Sequence, residues 1–192
     1  MDEKQLITDL QNGSENAFRY LVELFQDKVF NTVVSIIQNL EEAEDVSQEV
    51  FIEVYESVQK FRGESKLSTW IYRIATTKAL EAHRKKKATK RFAFLTSLFG
   101  EDDEIVHHPV TFEHPGVVLE NKERASILFK HISQLPDNQK VAFTLCNIEG
   151  LSYQEITEVM QLSLSSVESL LFRAKTNLRK TLKDYYMNQD LS

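Results

Sequence analysis

The stretch LSYQEITEVMQLSLSSVESLLFRAKTNLRKTLK, residues 151–183, decides how this chain folds at its carboxy-terminal end. Ser152 with Glu155 has the form of a capping box, in which each side chain satisfies a free backbone N–H of the other's residue at a helix start. Ile156, Val159 and Met160 follow at helical spacing. Gln161-Leu162-Ser163-Leu164 reads as a turn, after which Ser165 and Glu168 offer a second capping box. Val167, Leu170, Leu171, Ala174, Leu178 and Leu182 then form one apolar stripe, with Arg173, Lys175, Arg179, Lys180 and Lys183 off it. Two closely joined helices, the second with a basic outer face, predict a helix-turn-helix, because a helix standing proud of its neighbour fits the DNA major groove. The competing reading is an ordinary helical hairpin with a solvated basic face.

Working outward, the same periodicity covers most of the chain. A short helix is expected from Lys4 to Asn12, broken by Gly13-Ser14. From Glu15 to Asn39, Phe18, Leu21, Val22, Phe25, Val29, Phe30, Val33, Ile36 and Ile37 describe a long helix with one buried face. A second helix from about Glu42 to Gln59 buries Ala43, Val46, Val50, Phe51, Val54 and Val58. Phe61-Arg62-Gly63-Glu64-Ser65-Lys66-Leu67 reads as a loop, and Ser68 or Thr69 is expected to cap a third helix with Trp70, Ile71, Ile74, Ala75, Ala79 and Leu80 on its face. Gly100, Glu101-Asp102-Asp103-Glu104, Pro109 and Pro115-Gly116 mark a linker. A helix resumes near Val118 and runs to Leu135-Pro136, and Asp137 is the expected cap of the next, which ends at Gly150. The expected architecture is all-α, with two small helical domains (1–92 and 118–192) joined by a flexible linker (93–117), the second ending in the helix-turn-helix.

Composition supports that reading and excludes others. Five glycines and three prolines in 192 residues leave few turn signals, so many strands are not expected. A hydrophobic content of 42% argues against general disorder. The apolar stretches are too short for a membrane span and the amino terminus is polar, so a cytoplasmic protein without direct membrane insertion is expected. Cys146, the single cysteine, lies on an apolar stripe and reads as a buried thiol. The net charge of −6 is unevenly distributed. Residues 41–56 hold seven acids and no base, whereas residues 84–91 hold six bases and no acid, which suggests different partners for different faces.

Several motifs together carry a family resemblance. Ala43-Glu44-Asp45-Val46-Ser47-Gln48-Glu49-Val50-Phe51, the loop Phe61-Arg62-Gly63-Glu64-Ser65, and Ser68-Thr69-Trp70-Ile71-Tyr72-Arg73-Ile74-Ala75 resemble bacterial sigma factors of the extracytoplasmic-function group. Leu135-Pro136, Glu149-Gly150-Leu151-Ser152-Tyr153-Gln154-Glu155-Ile156, Val167-Glu168-Ser169 and Arg173-Ala174-Lys175 are similar to that group's carboxy-terminal domain. The resemblance implies a transcription initiation factor that binds core RNA polymerase, recognises −10 and −35 promoter elements and assists DNA melting. It also implies an anti-sigma factor as a further partner.

Site residues follow from the resemblance and from side-chain chemistry. Asp45, Gln48, Glu49 and Phe51 are implied as the polymerase-binding set, a carboxylate row suited to Arg or Lys on a partner helix. Phe61, Arg62, Ser65, Ser68, Thr69, Arg73, Lys78, Arg84 and Lys85 are implied at the −10 element, where an unstacked base needs a polar pocket and phosphates need cations. Trp70 sits on the apolar stripe and is expected in the core. Ser165, Ser166, Glu168, Ser169, Phe172, Arg173 and Lys175 are implied at the −35 element. The chain departs from the group's common pattern at Thr77 and Glu81, where Asn and Asp are frequent, and at Glu168 and Leu170, where many members carry Lys and Arg.

Other classes fit less of the chain. A polymerase-independent helix-turn-helix regulator leaves the acidic helix and the 61–70 loop idle. A metal-dependent nucleotide hydrolase built on Asp45, Glu49 and Glu53 needs a second converging acidic cluster. The linker histidines His107, His108 and His114 lack zinc-site spacing. With no nucleophile constellation or phosphate-binding loop, neither an enzyme, a metal, a cofactor nor a small-molecule substrate is expected.

Overall fold

The computed structural model describes residues 2–97 and 127–189, and every regular element among them is helical. The elements are α1 (Glu3–Gln11), α2 (Glu15–Ile37), α3 (Leu40–Ser57) with a terminal 3-10 turn (Val58–Lys60), and α4 (Leu67–Ser97). After residue 126 come α5, described over 127–133, α6 (Asp137–Phe143) with a π turn (Thr144–Ile148), α7 (Tyr153–Met160) and α8 (Leu164–Gln189). Most of the expected linker lies outside the described residues, as do the acidic run Glu101–Glu104 and the three linker histidines.

Local chemistry explains where the helices begin. The Ser14 hydroxyl accepts the Ala17 N–H at 3.3 Å, and the Asn39 side chain accepts the Glu42 N–H at 2.8 Å, each meeting a donor that has no partner inside its helix. The capping box at Ser152 and Glu155 is present as expected. The second box is not. The α8 helix starts two residues earlier than the sequence suggests, and the Ser163 hydroxyl accepts the Ser166 N–H at 3.3 Å. Glu168 is thereby exposed rather than engaged in a cap. Nor does Asp137 cap α6, since Pro136 occupies that place and Asp137 stands in the first turn, free to meet cations. The α2 and α7 helices end on Gln38 (φ 60) and Gln161 (φ 54), left-handed positions where glycine is more usual.

The start of α4 is the largest local departure. Its first residue is Leu67, which puts Ser68 and Thr69 inside the first turn instead of at the cap. The Leu67 N–H is accepted instead by the Glu3 carboxylate at 2.8 Å, from the other end of the domain.

Packing departs from the expectation for α2 as well. The sequence suggests one buried face, yet Thr32, Val33, Val34, Ser35, Ile36 and Ile37 are all buried. The end of α2 lies between α3 and α4 on one side and α6 with its π turn on the other. One core cluster therefore runs through both helical domains, from Leu21, Val29 and Val50 to Ala75, Leu145, Ile156 and Leu171. A smaller cluster around Ile132, Leu135, Ala174 and Leu178 joins α5 to α8. Each fully buried aliphatic side chain removes enough apolar surface from water to favour the folded state by about 1.5–3 kcal/mol.

Candidate nucleic-acid and protein interfaces

Two surfaces of opposite charge leave this helical frame. On α3, Asp45, Gln48 and Glu49 are exposed together, while Phe51 is half-buried against the core. Ile52 is 57% exposed and Tyr55 is 55% exposed, continuing the same stripe at spacings of three and four. Sequence reading passed over these two because an apolar residue on an amphipathic helix is ordinarily assigned to the core. The face is therefore a carboxylate row ending in bare apolar side chains, suited to a partner that presents cations beside an apolar patch.

The loop after α3 gathers part of the second site. Phe61 is buried and meets Trp70 in a tilted arrangement at 5.0 Å between ring centres; Trp70, expected in the core, is only half-buried against it and also borders solvent. Gly63 turns the loop at φ 70, leaving Arg62 and Glu64 in solvent 3.8 Å from one another. Phe61, Arg62, Ser65, Trp70 and Arg73 line one hollow of about 430 Å³ with Lys60, Glu64 and Glu158. Ser68 and Thr69 do not line it, and Thr69 is buried. Further along α4, Lys78 lies 3.6 Å from Glu53, Arg84 lies 3.8 Å from Asp137, and Lys85 is exposed.

The second domain covers one side of this surface. Arg73 donates to the Glu158 carbonyl at 2.7 Å, Lys66 pairs with Glu155 at 2.7 Å, and the Tyr72 hydroxyl donates to Glu149 at 2.8 Å. Asp137 faces His83, Arg84 and Lys87 at 3.7, 3.8 and 3.7 Å. Lys140 is 1% exposed, and its ammonium reaches the Ile36 carbonyl at 3.4 Å. None of these cross-domain partners follows from local periodicity, since each pair is separated by dozens of residues.

Burial and charge set the protonation of this seam. Burial lowers the Lys140 pKa, opposed by Asp137, and burial together with the Lys140 charge holds the His83 pKa down. A neutral His83 makes its approach to Asp137 a contact without full ion-pair strength. Burial and the Glu149 charge push the Tyr72 phenol up, while burial raises the Glu149 carboxyl against the pull of its hydrogen bond from Tyr72. The Lys66 hydrogen bond, followed by those from Ser152, lowers Glu155 to about 2.

On α8, Ser165, Ser166, Ser169 and Arg173 line a hollow of about 410 Å³ with Asn138, Leu162 and Leu170. Asn138 comes from α6 and was not expected there. Glu168 is exposed, Lys175 is half-buried, and Phe172 is 73% exposed. An aromatic ring this bare on a helix's outer face is available for apolar contact with a groove. No group of three or more His, Cys, Asp or Glu side chains with metal-binding arrangement occurs among the described residues, and no described helix is long and apolar enough to cross a membrane.

Among the described residues, an all-helical frame with an exposed acidic helix face, a hollow beside a basic helix and a terminal helix-turn-helix has the build of a two-domain DNA-binding protein. The family model "Sigma-70 region 2" matches residues 21–89, and "Sigma-70, region 4" matches residues 127–178. The RNA polymerase sigma-H factor of Pseudomonas aeruginosa is 34% identical over 184 residues, covering 94% of both chains. The ECF RNA polymerase sigma factor SigW of Bacillus subtilis is 30% identical, covering 94% of this chain and 97% of its own. Among solved folds, CnrH in complex with the cytosolic domain of CnrY superposes with a TM-score of 0.69 at 19% identity, covering 95% of this chain and 97% of CnrH. RpoE from Bartonella quintana, solved with the anti-sigma factor NepR, gives a TM-score of 0.63 at 19% identity, covering 86% of this chain and 96% of its own. The chain belongs to the sigma-70 family of RNA polymerase sigma factors, in its extracytoplasmic-function group. It is a transcription initiation factor.

The Lys66–Glu155 pair gives a pH signature. A carboxyl lowered to about 2 contributes its full stabilisation above the ordinary carboxylate range and loses it as pH falls through about 2. In carbon-detected NMR titration, Lys66→Ala should move the Glu155 midpoint upward, with the Ser152 bonds retaining part of the depression. A midpoint indifferent to that substitution would contradict the cross-domain pairing.

Proposed function

We propose that this chain carries core RNA polymerase to promoters through the acidic face of α3, receives the melted −10 strand on the 61–66 loop and α4, and reads the −35 element with α8. The observation that supports it best is the separation of roles in space. Asp45, Gln48 and Glu49 stand free on α3, whereas Arg62, Ser65 and Arg73 converge on the hollow beside Phe61 and Trp70. That hollow has the parts an extruded base requires: an aromatic wall, hydroxyl and guanidinium groups, and flanking cations for phosphate. Arg84 and Lys85 extend the cationic track along α4. Thr69 is buried and Ser68 half-buried in the first turn of α4, so neither is given a base contact. Arg173, Ser165, Ser166 and Ser169 form the polar part of the −35 reader, with Phe172 as its apolar part and Glu168 and Lys175 at its edges.

The chain performs no chemistry of its own in this reading; the polymerase supplies catalysis, and the site of action is the cytoplasm. An anti-sigma factor is the third partner, by likeness to the NepR-bound RpoE.

The two domains separate on promoters. Elements about 25 base pairs apart lie roughly 85 Å apart along a duplex that rises 3.4 Å per base pair. A compact chain of this length has a radius of gyration of about 16 Å. The contacts of Arg73 with the Glu158 carbonyl and of Arg84 with Asp137 must therefore break when both elements are engaged.

These roles are separable experimentally. Asp45→Lys with Glu49→Lys should reduce capture of core polymerase while the helical circular dichroism spectrum stays intact; undiminished co-purification refutes the docking role. Arg173→Ala should weaken −35 binding by the holoenzyme by about 1–3 kcal/mol if the guanidinium reads a base, and an unaltered footprint and affinity rule that out. Dyes placed through Gln26→Cys and Lys183→Cys in a Cys146→Ser background should lose energy transfer when the holoenzyme binds promoter DNA. Transfer that stays high on the promoter would show that the domains remain docked.

A further inference from the structure

The region 2 match begins at residue 21, so neither it nor the roles above give α1 a task. The helix nevertheless touches the −10 loop at both stems. Its last residue, Gln11, donates from its side-chain amide to the Phe61 carbonyl at 2.9 Å and, more weakly, to the Val58 carbonyl at 3.4 Å. Its first residue, Glu3, accepts the Leu67 N–H at 2.8 Å. Between those anchors, Arg62, Gly63, Glu64 and Lys66 are exposed, with Ser65 partly covered.

Each contact replaces something the loop cannot supply locally. Lys66 occupies the cap position of α4 and has no acceptor to offer, so the helix's first free N–H takes its partner from α1. A carboxylate also complements the positive end of the helix dipole. At the other stem, the Phe61 backbone carries the ring that stacks on Trp70, and Gln11 fixes the carbonyl of that same residue. Glu3 and Gln11 are joined by a helix rising about 1.5 Å per residue, a rigid bar of about 12 Å. Leu6 and Leu10 anchor the bar in the core, each 4% exposed. The bar and the loop together wall a hollow of about 760 Å³ that includes Ile7, Thr8, Arg62 and Ser65.

We propose that α1 is the positioning element of the −10 loop: Gln11 and Glu3 clamp its two stems so that Arg62, Ser65 and the Phe61–Trp70 pair meet an extruded base in one arrangement. The two residues touch no DNA and act only through the loop. This inference rests on the −10 role given to the loop above. Its physical basis is preorganisation: a loop already held in its receiving shape loses less freedom when the base enters.

The test uses holoenzyme reconstituted from core polymerase and the full chain carrying Gln11→Glu, Glu3→Gln or both. Gln11→Glu preserves size and helix while removing the donor; Glu3→Gln removes the capping charge. Core affinity should stay at the parental value, and the melting temperature should fall by no more than the few degrees that one hydrogen bond costs in a chain of this size. Permanganate reactivity of −10 thymines should fall about tenfold for Gln11→Glu, the order expected for loss of one net hydrogen bond, and by less for Glu3→Gln, whose amide oxygen still accepts the Leu67 N–H; discrimination among substituted −10 sequences should flatten while −35 preference persists. Parental opening by the α1 variants overturns the proposal, as does a loss matched by lost core capture or by a melting temperature lowered by more than a few degrees. Arg62→Ala and Ser65→Ala run in parallel. If they impair opening and the α1 variants do not, only the role of α1 fails; if they too open promoters normally, the −10 assignment of the loop fails with it.

Discussion

The end of α2 is the constraint on which the rest depends. Residues 32–37 are buried without interruption, so this part of the helix has no solvent face. A stretch with Val33, Val34, Ile36 and Ile37 on successive sides must be covered all round, and Thr32 and Ser35 are buried with them. Helices α3 and α4 cover one side, and α6 with its π turn covers the other. Lys140 is drawn into the same seam and reaches the Ile36 carbonyl, which is how a charged side chain becomes one of the most buried residues in the chain. Association of the domains thus rests on apolar burial, with the polar contacts arranged around it.

Those polar contacts determine what the surface offers. Arg73, Lys66, Arg84 and Lys87 would make a cationic track if region 2 stood alone, but each faces a carbonyl or carboxylate from the second domain. Solvent-screened contacts of this kind contribute little to stability. They set the register of docking more than its strength, and they yield readily to phosphates. Among the described residues Asp45, Gln48 and Glu49 on α3 are exposed, whereas the basic face of α4 meets the second domain.

The residues showed the helices well because heptad-like spacing is a local property. All the expected helices with described residues are present, and the first capping box is where Ser152 and Glu155 place it. Boundaries failed where the partner of a helix end came from elsewhere. Ser68 and Thr69 look like caps for α4, but Glu3 meets the free N–H and the helix begins sooner. Ser165 looks like the cap of α8, yet Ser163 does that work from the turn. Of the candidate −10 residues, Phe61, Arg62, Ser65 and Arg73 come together in one hollow, whereas Thr69 is buried and Lys78, Arg84 and Lys85 lie further along the helix. Ile52, Tyr55, Asn138 and Glu158 were missed because no periodicity marks a residue whose role depends on what faces it.

By itself the sequence determined the helical class, the order of the elements, the acidic and basic segments and the motifs of a sigma factor. All of these reside in residue type and short-range spacing. Only the tertiary structure decided that one core joins both domains, that Glu3 and Gln11 hold the 61–66 loop from its two ends, and that Arg73 and Arg84 rest against the second domain. These depend on contacts between residues far apart in the chain, where the geometry of packed helices selects the partner.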